Sequence, residues 1–400
     1  MSVTDSTKVN SYLYWGYVPS SGDEDYFKLT PVPVDNPDIN LAGDMLANEI
    51  AGHIKGSDHH VIPMSGGLDS RLILCELLHC VPADKISLFT FGIPGSYDYE
   101  IPGMIAKKLG IQIERVDLNK VLLDTNKLVD SITSSNMWTY LFDSYYNRLV
   151  FKLFGKDVVY WSGFMGNNLA GEHLDWYSGP SWEVACDTFI KHERRCNAIQ
   201  LYSSEYDPKL SIMMSPDGTI VPYIDQLDFR HRQPKCILSI LNAPSNDYKQ
   251  VFPLTSKSYM NYMMGLPFKE RKGEVFYRNL IISRCKALND IPVKRTYCLP
   301  LQYEGTLRMK IKRYLVNGKR LLMKTPSPML NYYDFNTVFR ERDDLRSLLE
   351  TNLQDLSARR ILPWLNIDLI KRDFFEAKKP IHDAISTLVS LELYLKYEGK

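Results

Sequence analysis

The sequence lacks most of the signals that reveal a protein's class at sight. Its seven cysteines, at 75, 80, 186, 196, 236, 285 and 298, include no Cys-x-x-Cys pair. An odd, scattered set writes neither a disulfide framework nor a zinc cage, so reduced thiols, mostly in the core, are expected. The eight histidines show no ligand spacing, and the adjacent His59 and His60 would point to opposite sides of a strand. No apolar run approaches the roughly 18 to 20 residues of a membrane span. The opening Met1-Ser-Val-Thr-Asp-Ser-Thr7 lacks the basic-then-apolar pattern of a secretory signal, so a cytoplasmic protein is expected. Net charge is lacking too: 48 basic against 47 acidic residues leave +1. No global field then exists to gather a nucleic acid or coat an anionic membrane; neither partner is expected, and any charged ligand needs a local site.

What is present is a globular composition, 44% apolar and 24% charged over 400 residues, enough for a sizeable core. Up to about residue 38, aromatics (Tyr12, Tyr14, Trp15, Tyr17) mix with turn formers such as Pro19-Ser-Ser-Gly-Asp23, which predicts short strands and loops. Leu41, Met45, Leu46, Ile50 and Ile54 then recur at helical spacing, with Asp38 or Asn40 as cap. An alternation follows: apolar run 60–64, helical pattern 68–77, strand 86–91, helix 99–109, strand 111–117 and, after two helical segments, strand 157–161. Strand-helix-strand repetition predicts an α/β fold, a parallel sheet with helices on both faces, followed by a mainly helical C-terminal region. The expected division is a short N-terminal stretch and lead-in helix (1–58), an α/β core (59–180) and a helical region packing on it (181–400). Ligands of such sheets bind at the carboxyl ends of strands, which draws attention to the loops after 64, 91 and 161.

The first of these loops reads Ser65-Gly66-Gly67-Leu68-Asp69-Ser70. Two glycines free the backbone to take unusual angles and approach a ligand, while amides of the turn and the first helical residues offer an anion site reinforced by the helix dipole. A diphosphate suits that spot. Ser65 and Ser70 can donate hydroxyl hydrogen bonds, whereas Asp69 repels phosphate and makes sense as a ligand to a bridging Mg²⁺. A glycine pair alone is more simply a tight turn, with Asp69 favouring the first helical turn. The hexapeptide is more specific, being neither a Walker loop nor a dinucleotide fingerprint.

It resembles the PP-loop of the ATP pyrophosphatase superfamily and, within it, the synthetase domain of the asparagine synthetases and their relatives. Val61-Ile-Pro-Met-Ser-Gly-Gly-Leu-Asp-Ser70, Phe89-Thr-Phe-Gly-Ile-Pro-Gly-Ser-Tyr-Asp98 and Trp161-Ser-Gly-Phe-Met-Gly-Asn-Asn-Leu-Ala-Gly171 carry the resemblance in order. It implies an adenine nucleotide alpha hydrolase-like fold and ATP with Mg²⁺ as cofactors. It also implies an AMP-forming carbon-nitrogen ligase: a small-molecule or peptide carboxylate is adenylated, pyrophosphate leaves, and ammonia or an amine attacks the acyl carbon. Carried over by residue, Ser65, Gly66, Gly67, Asp69 and Ser70 would hold the phosphates and Mg²⁺, and Phe91, Gly92, Ser162 and Gly163 would flank the adenosine. For Phe91 a core aromatic ending a buried strand is the plainer alternative.

Three departures shape the expectation. Family members with a glutaminase half carry roughly 200 residues before the synthetase half, whereas about 60 precede the loop here. The nitrogen is therefore expected from ammonia, an amine substrate or a separate subunit. In the loop after 161, Met165 replaces a glycine, and Asn167 and Asn168 fill two acidic positions. Asn167 would serve as a metal ligand with one negative charge fewer, with Glu172 a substitute, so a catalytically impaired nucleotide-binding scaffold is the alternative function. The acceptor-side segment reads Phe252-Pro-Leu-Thr-Ser256, and in Ile291-Pro-Val-Lys-Arg-Thr-Tyr297 the resemblance points to Lys294, then Arg295, as the cation stabilising charge in the transition state. Other PP-loop chemistry, such as tRNA thiolation, would call for a Cys-x-x-Cys motif or a basic RNA-binding stripe. Arg230, His231 and Arg232 form a cationic cluster that would steer an acidic substrate or else line a solvated helix face. The charged stretch from Arg340 to Arg346 reads as solvated helix surface.

Overall fold

The computed structural model describes residues 3–20, 26–54, 59–133, 137–175, 181–212, 214–323 and 325–399. Five parallel strands form one sheet in the order β3-β2-β1-β4-β5: β1 His60–Pro63, β2 Ile86–Gly92, β3 Gln112–Asp117, β4 Val159–Trp161 and β5 Lys249–Val251. The strand order reverses beside β1, the position at which open α/β sheets bind ligands. The alternation within β1 sorts its side chains onto two cores: Ile62 joins Leu88 and Trp161 on one face, and Val61 joins Phe89 and Tyr160 on the other. Helices cover both faces.

The helices that position the site are α1 Val3–Trp15, α2 Ile39–His53, α3 Asp69–Leu78, α4 Tyr97–Leu109, α5 Gly166–Ala170, α6 Val275–Arg284, α7 Leu307–Met323, α8 Asp343–Arg359 and α9 His382–Tyr397. Asp38 caps α2, its Oδ1 accepting the Asn40 amide at 2.8 Å. On one face of the sheet α2, α3 and α6 pack through Leu46, Leu72 and Leu280; on the other, α8 and α9 contribute Leu349 and Leu388. The region after residue 181 is mostly helical and supplies residues to both cores. The boundaries expected at 58/59 and 180/181 adjoin residues 55–58 and 176–180, which lie outside the described residues, as does the turn at 21–23.

Three expectations need correction. The N-terminal stretch opens on a helix, α1, in place of the expected short strands, while the described residues 16–20 and 26–38 are irregular. Tyr12 meets Trp138 and Tyr394 edge-on, and Trp15 donates to Ser211 Oγ at 2.9 Å, so tertiary contacts on several sides override the strand propensity of its aromatics. Arg230, His231 and Arg232 neither line a solvated face nor open to a substrate. They lie on a π-helix, Asp228–Ile237, with His231 wholly buried, Arg230 facing Asp217 at 3.6 Å and Arg232 paired with Glu193 at 2.8 Å. Arg342 is likewise no solvated charge, because it donates to the carbonyls of Leu118 and Val121 and to Asp344, tying α8 to the end of β3. All seven cysteines are free thiols, five of them buried. Among the described residues no helix is long and apolar enough to cross a membrane.

Candidate functional site

The loop 65–70 leaves the carboxyl end of the central strand β1 and enters α3. Its glycines are needed for space and not for unusual angles, since neither Gly66 nor Gly67 has positive φ. A Cβ on Gly66 would come within 3.1 Å of Lys294 Cβ, Ile101 Cδ1 and the Tyr97 carbonyl. The 66 peptide is gripped on both sides: its N–H donates to Asp98 Oδ1 at 2.8 Å, and its carbonyl accepts the Lys294 amide at 2.8 Å. Two other loop amides are committed internally, Gly67 to Ser65 Oγ at 3.1 Å and Ser65 to Ser70 Oγ at 3.4 Å. No side chain caps α3. The amides of its first turn are the donors left for an anion.

Lys294 reaches this loop across more than 220 residues of sequence. Buried Arg71, on α3, donates to the carbonyls of Ile291 and Pro292 at 3.1 and 2.6 Å and so fixes the segment that delivers it. Lys294 Nζ then pairs with Asp98 Oδ2 at 2.5 Å and bonds Asn331 Oδ1. Arg295 turns elsewhere, to Glu274 and, at 2.8 Å, to Glu304.

Asp69 lies against the loop that follows β4. A Cβ on Gly163 would stand 2.7 Å from Asp69 Cβ, and one on Gly166 would overlap the Asp69 carboxylate. Asp69 Oδ1 accepts a 2.7 Å hydrogen bond from Tyr277 on α6, and its carboxylate also accepts the Asn167 amide. Burial nonetheless raises its pKa to about 7, with Glu274 and Glu172 adding to the rise. The negative charge is thus under-compensated. Asn167 is exposed beside it, whereas Asn168 is buried and donates to Asp228 Oδ2 at 3.0 Å, which commits it to the π-helix. Met165 is left-handed at φ 79 and buried, occupying with a side chain a conformation that favours glycine. Ser162 accepts the Phe164 amide at 3.2 Å on Oγ and donates its own amide to Val251 on β5.

No protein-family model matches the chain. A search of the curated proteins likewise finds no match. The functional reading therefore stands on the site's own residues. Ser65, Gly66, Gly67, Asp69, Ser70, Gly163, Asn167 and Lys294 converge on one loop junction, with Ser162 at its edge.

Phe91 and Gly92 end β2 farther along the same sheet edge. Phe91 stacks on Tyr332 with ring centroids 5.6 Å apart and planes at 22°, and packs against the core of that face. Gly92 is buried against Ser96 and Tyr99. The segment 328–332 lies over this edge, the Pro328 carbonyl accepting the Tyr97 amide at 2.7 Å and Asn331 meeting Lys294. Phe252-Pro-Leu-Thr-Ser256 follows β5 directly, with Phe252 against Phe164 at 5.7 Å.

Sequence reading missed Asp98, Tyr277, Asn331 and Tyr332. Asp98 ended a quoted motif and carried a signal in its position after β2. Tyr277 and Tyr332 lie more than 200 residues from Asp69 and Phe91, and Asn331 lies 37 residues past Lys294; nothing local marks any of the three.

Proposed function

We propose that the chain binds ATP on the loop 65–70 and forms an amide bond through an acyl-adenylate. The observation that carries this reading is Ser-Gly-Gly-Leu-Asp-Ser at the carboxyl end of the central strand, with Gly163 and Gly166 against its aspartate and Lys294 against its first glycine. In this reaction a substrate carboxylate oxygen attacks the α phosphorus and the α–β bridging oxygen departs with pyrophosphate. An amine nitrogen then attacks the acyl carbon, loses its proton, and AMP leaves. The first-turn amides of α3 are suited to the departing pyrophosphate, and Lys294 adds a cation beside them. Phe252 to Ser256 adjoins this edge and is the candidate acceptor side.

A divalent cation fits Asp69. Its pKa is raised by burial, with Glu274 and Glu172 adding to the rise, and a bound metal would favour the ionised carboxylate. Among the described residues no three His, Cys, Asp or Glu side chains converge, so the chain would offer the Asp69 carboxylate and the Asn167 amide oxygen, and phosphates and water the remaining ligands, a common arrangement for Mg²⁺. Such an ion, when bound, supplies charge neutralisation at the phosphates.

The test is pyrophosphate release from ATP across a panel of carboxylic acids and amines. Release that Asp69→Ala leaves undiminished would place the chemistry elsewhere. Asn167 supports a second reading, a nucleotide-binding scaffold without turnover. Titration calorimetry with Mg²⁺ and ATP separates the two: binding without turnover in the wild type, with turnover appearing in Asn167→Asp, favours the scaffold.

A further inference from the structure

The α7 helix, Leu307–Met323, stands apart from every other long helix because none of its described residues is buried. It carries six basic residues, Arg308, Lys310, Lys312, Arg313, Lys319 and Arg320, and no acidic one. None of the six is ion-paired with a described carboxylate. In a chain whose net charge is +1, this is a strong local excess.

Six of the nine apolar residues fall together. At about 100° per residue, Leu307, Ile311, Tyr314, Leu315, Leu321 and Leu322 fall in one stripe roughly 120° wide. That stripe points to solvent, with Leu307 72%, Leu321 73% and Leu322 87% exposed. Met309, Lys312 and Val316, on the opposite side, are partly covered and face the body of the protein. Gly318, between the large side chains of the stripe, is also partly covered, and Met323, at the helix end on that opposite side, is exposed. Arg308 and Lys319 border the stripe on one flank and Lys310 on the other, while the exposed Arg313 and Arg320 lie farther round the helix. An ordinary surface helix turns its apolar stripe inward; α7 turns it outward.

We propose that α7 lies in the plane of an anionic lipid surface, its leucine stripe at the level of the acyl chains and its flanking cations among the headgroup phosphates. Charge complementarity selects this occupant. A nucleic acid would satisfy the cations but leave six large apolar side chains against water or phosphate. A second copy would cover the stripe but bring like-charged flanks together. A bilayer interface offers apolar depth beneath negative charge, with long basic side chains bent toward the headgroups. The low net charge of the chain argues against a global field and not against a local one.

The test is co-sedimentation of the full chain with vesicles of phosphatidylcholine alone and of phosphatidylcholine with an equal part of phosphatidylglycerol. Binding is expected to the anionic vesicles and to fall steeply with added salt. Neutralising the three cations that flank the stripe together (Arg308→Gln, Lys310→Gln, Lys319→Gln) should weaken it by about a hundredfold. The pair Leu315→Ser and Leu322→Ser should weaken it by roughly tenfold or more. No buried contact is touched by either variant, so both should keep the wild-type unfolding transition. Equal sedimentation with the two kinds of vesicle, or binding indifferent to both variants, overturns the proposal. So does a dimer by light scattering that the leucine variant abolishes, since a second copy would then cover the stripe.

Discussion

Gly166 sits so close to Asp69 that any side chain there would overlap the carboxylate. The loop after β4 and the loop after β1 thus form one unit, and a methyl group is enough to part them. Gly166→Ala should cost about 1 to 3 kcal/mol through overpacking. It should also abolish the thermal stabilisation that Mg²⁺ with ATP gives the wild type. Gly52→Ala is the control, because nothing lies within 4 Å of a Cβ there and its φ is not left-handed. That change should leave the melting temperature equal or slightly higher.

The Asp69 carboxyl predicts the pH response. Its folded pKa of about 7 stands above the ordinary 3.8 because burial disfavours the charge. The folded state holds this proton more tightly, so the group's contribution to stability is complete below about pH 4 and is lost as pH rises through 7. Asp69→Asn keeps the shape without the charge. Its melting temperature should exceed that of the wild type at pH 8 and the excess should shrink toward pH 5, in the absence of metal. Mg²⁺ with ATP should reverse the order at pH 8 by stabilising only the wild type. Parallel melting curves at every pH would show that Asp69 carries no such strain.

Lys294 and Arg295 are neighbours with separate duties. Lys294 pairs with the carboxylate that holds the Gly66 amide. Arg295 joins Glu274 and Glu304, which Arg278 also meets at 3.2 Å. Lys294→Met should remove pyrophosphate release while costing about 1.5 to 3 kcal/mol for the lost charged hydrogen bond. Arg295→Met should leave turnover per folded molecule within a few-fold and appear mainly as a lower denaturation midpoint. Steady-state kinetics beside urea unfolding distinguishes the two.

The parts of this fold legible in the sequence are those in which local pattern and tertiary environment agree. The first three strands and α2 to α4 alternate under glycine and capping signals, and the loop 65–70 stands out because its composition is rare. β5 is legible only in three dimensions, since Lys249-Gln-Val251 has a single apolar residue and gains its place from β4. The cluster at 230–232 misleads because its counter-charges come from separate places, Asp217 from a loop, Glu193 from the end of the helix Trp182–Glu193 and Asp228 from the π-helix itself. Pro234 lies within the π-helix there, where a missing N–H disturbs regular helical bonding. Tyr277 could not be found, since its bond to Asp69 spans 208 residues.

Met165 tests how the loop after β4 keeps its shape. Its left-handed backbone costs about 1 kcal/mol relative to glycine, whereas its buried side chain contributes roughly 1.5 to 3 kcal/mol. Burial wins, so Met165→Gly should destabilise the protein despite relaxing the backbone. Met165→Ala loses nearly the same burial and keeps the strain, and should fall below glycine by about 1 kcal/mol. The expected stability order in urea unfolding is therefore methionine, glycine, alanine. At an ordinary helical position alanine outranks glycine, so alanine above glycine here would mean that position 165 does not need its left-handed turn.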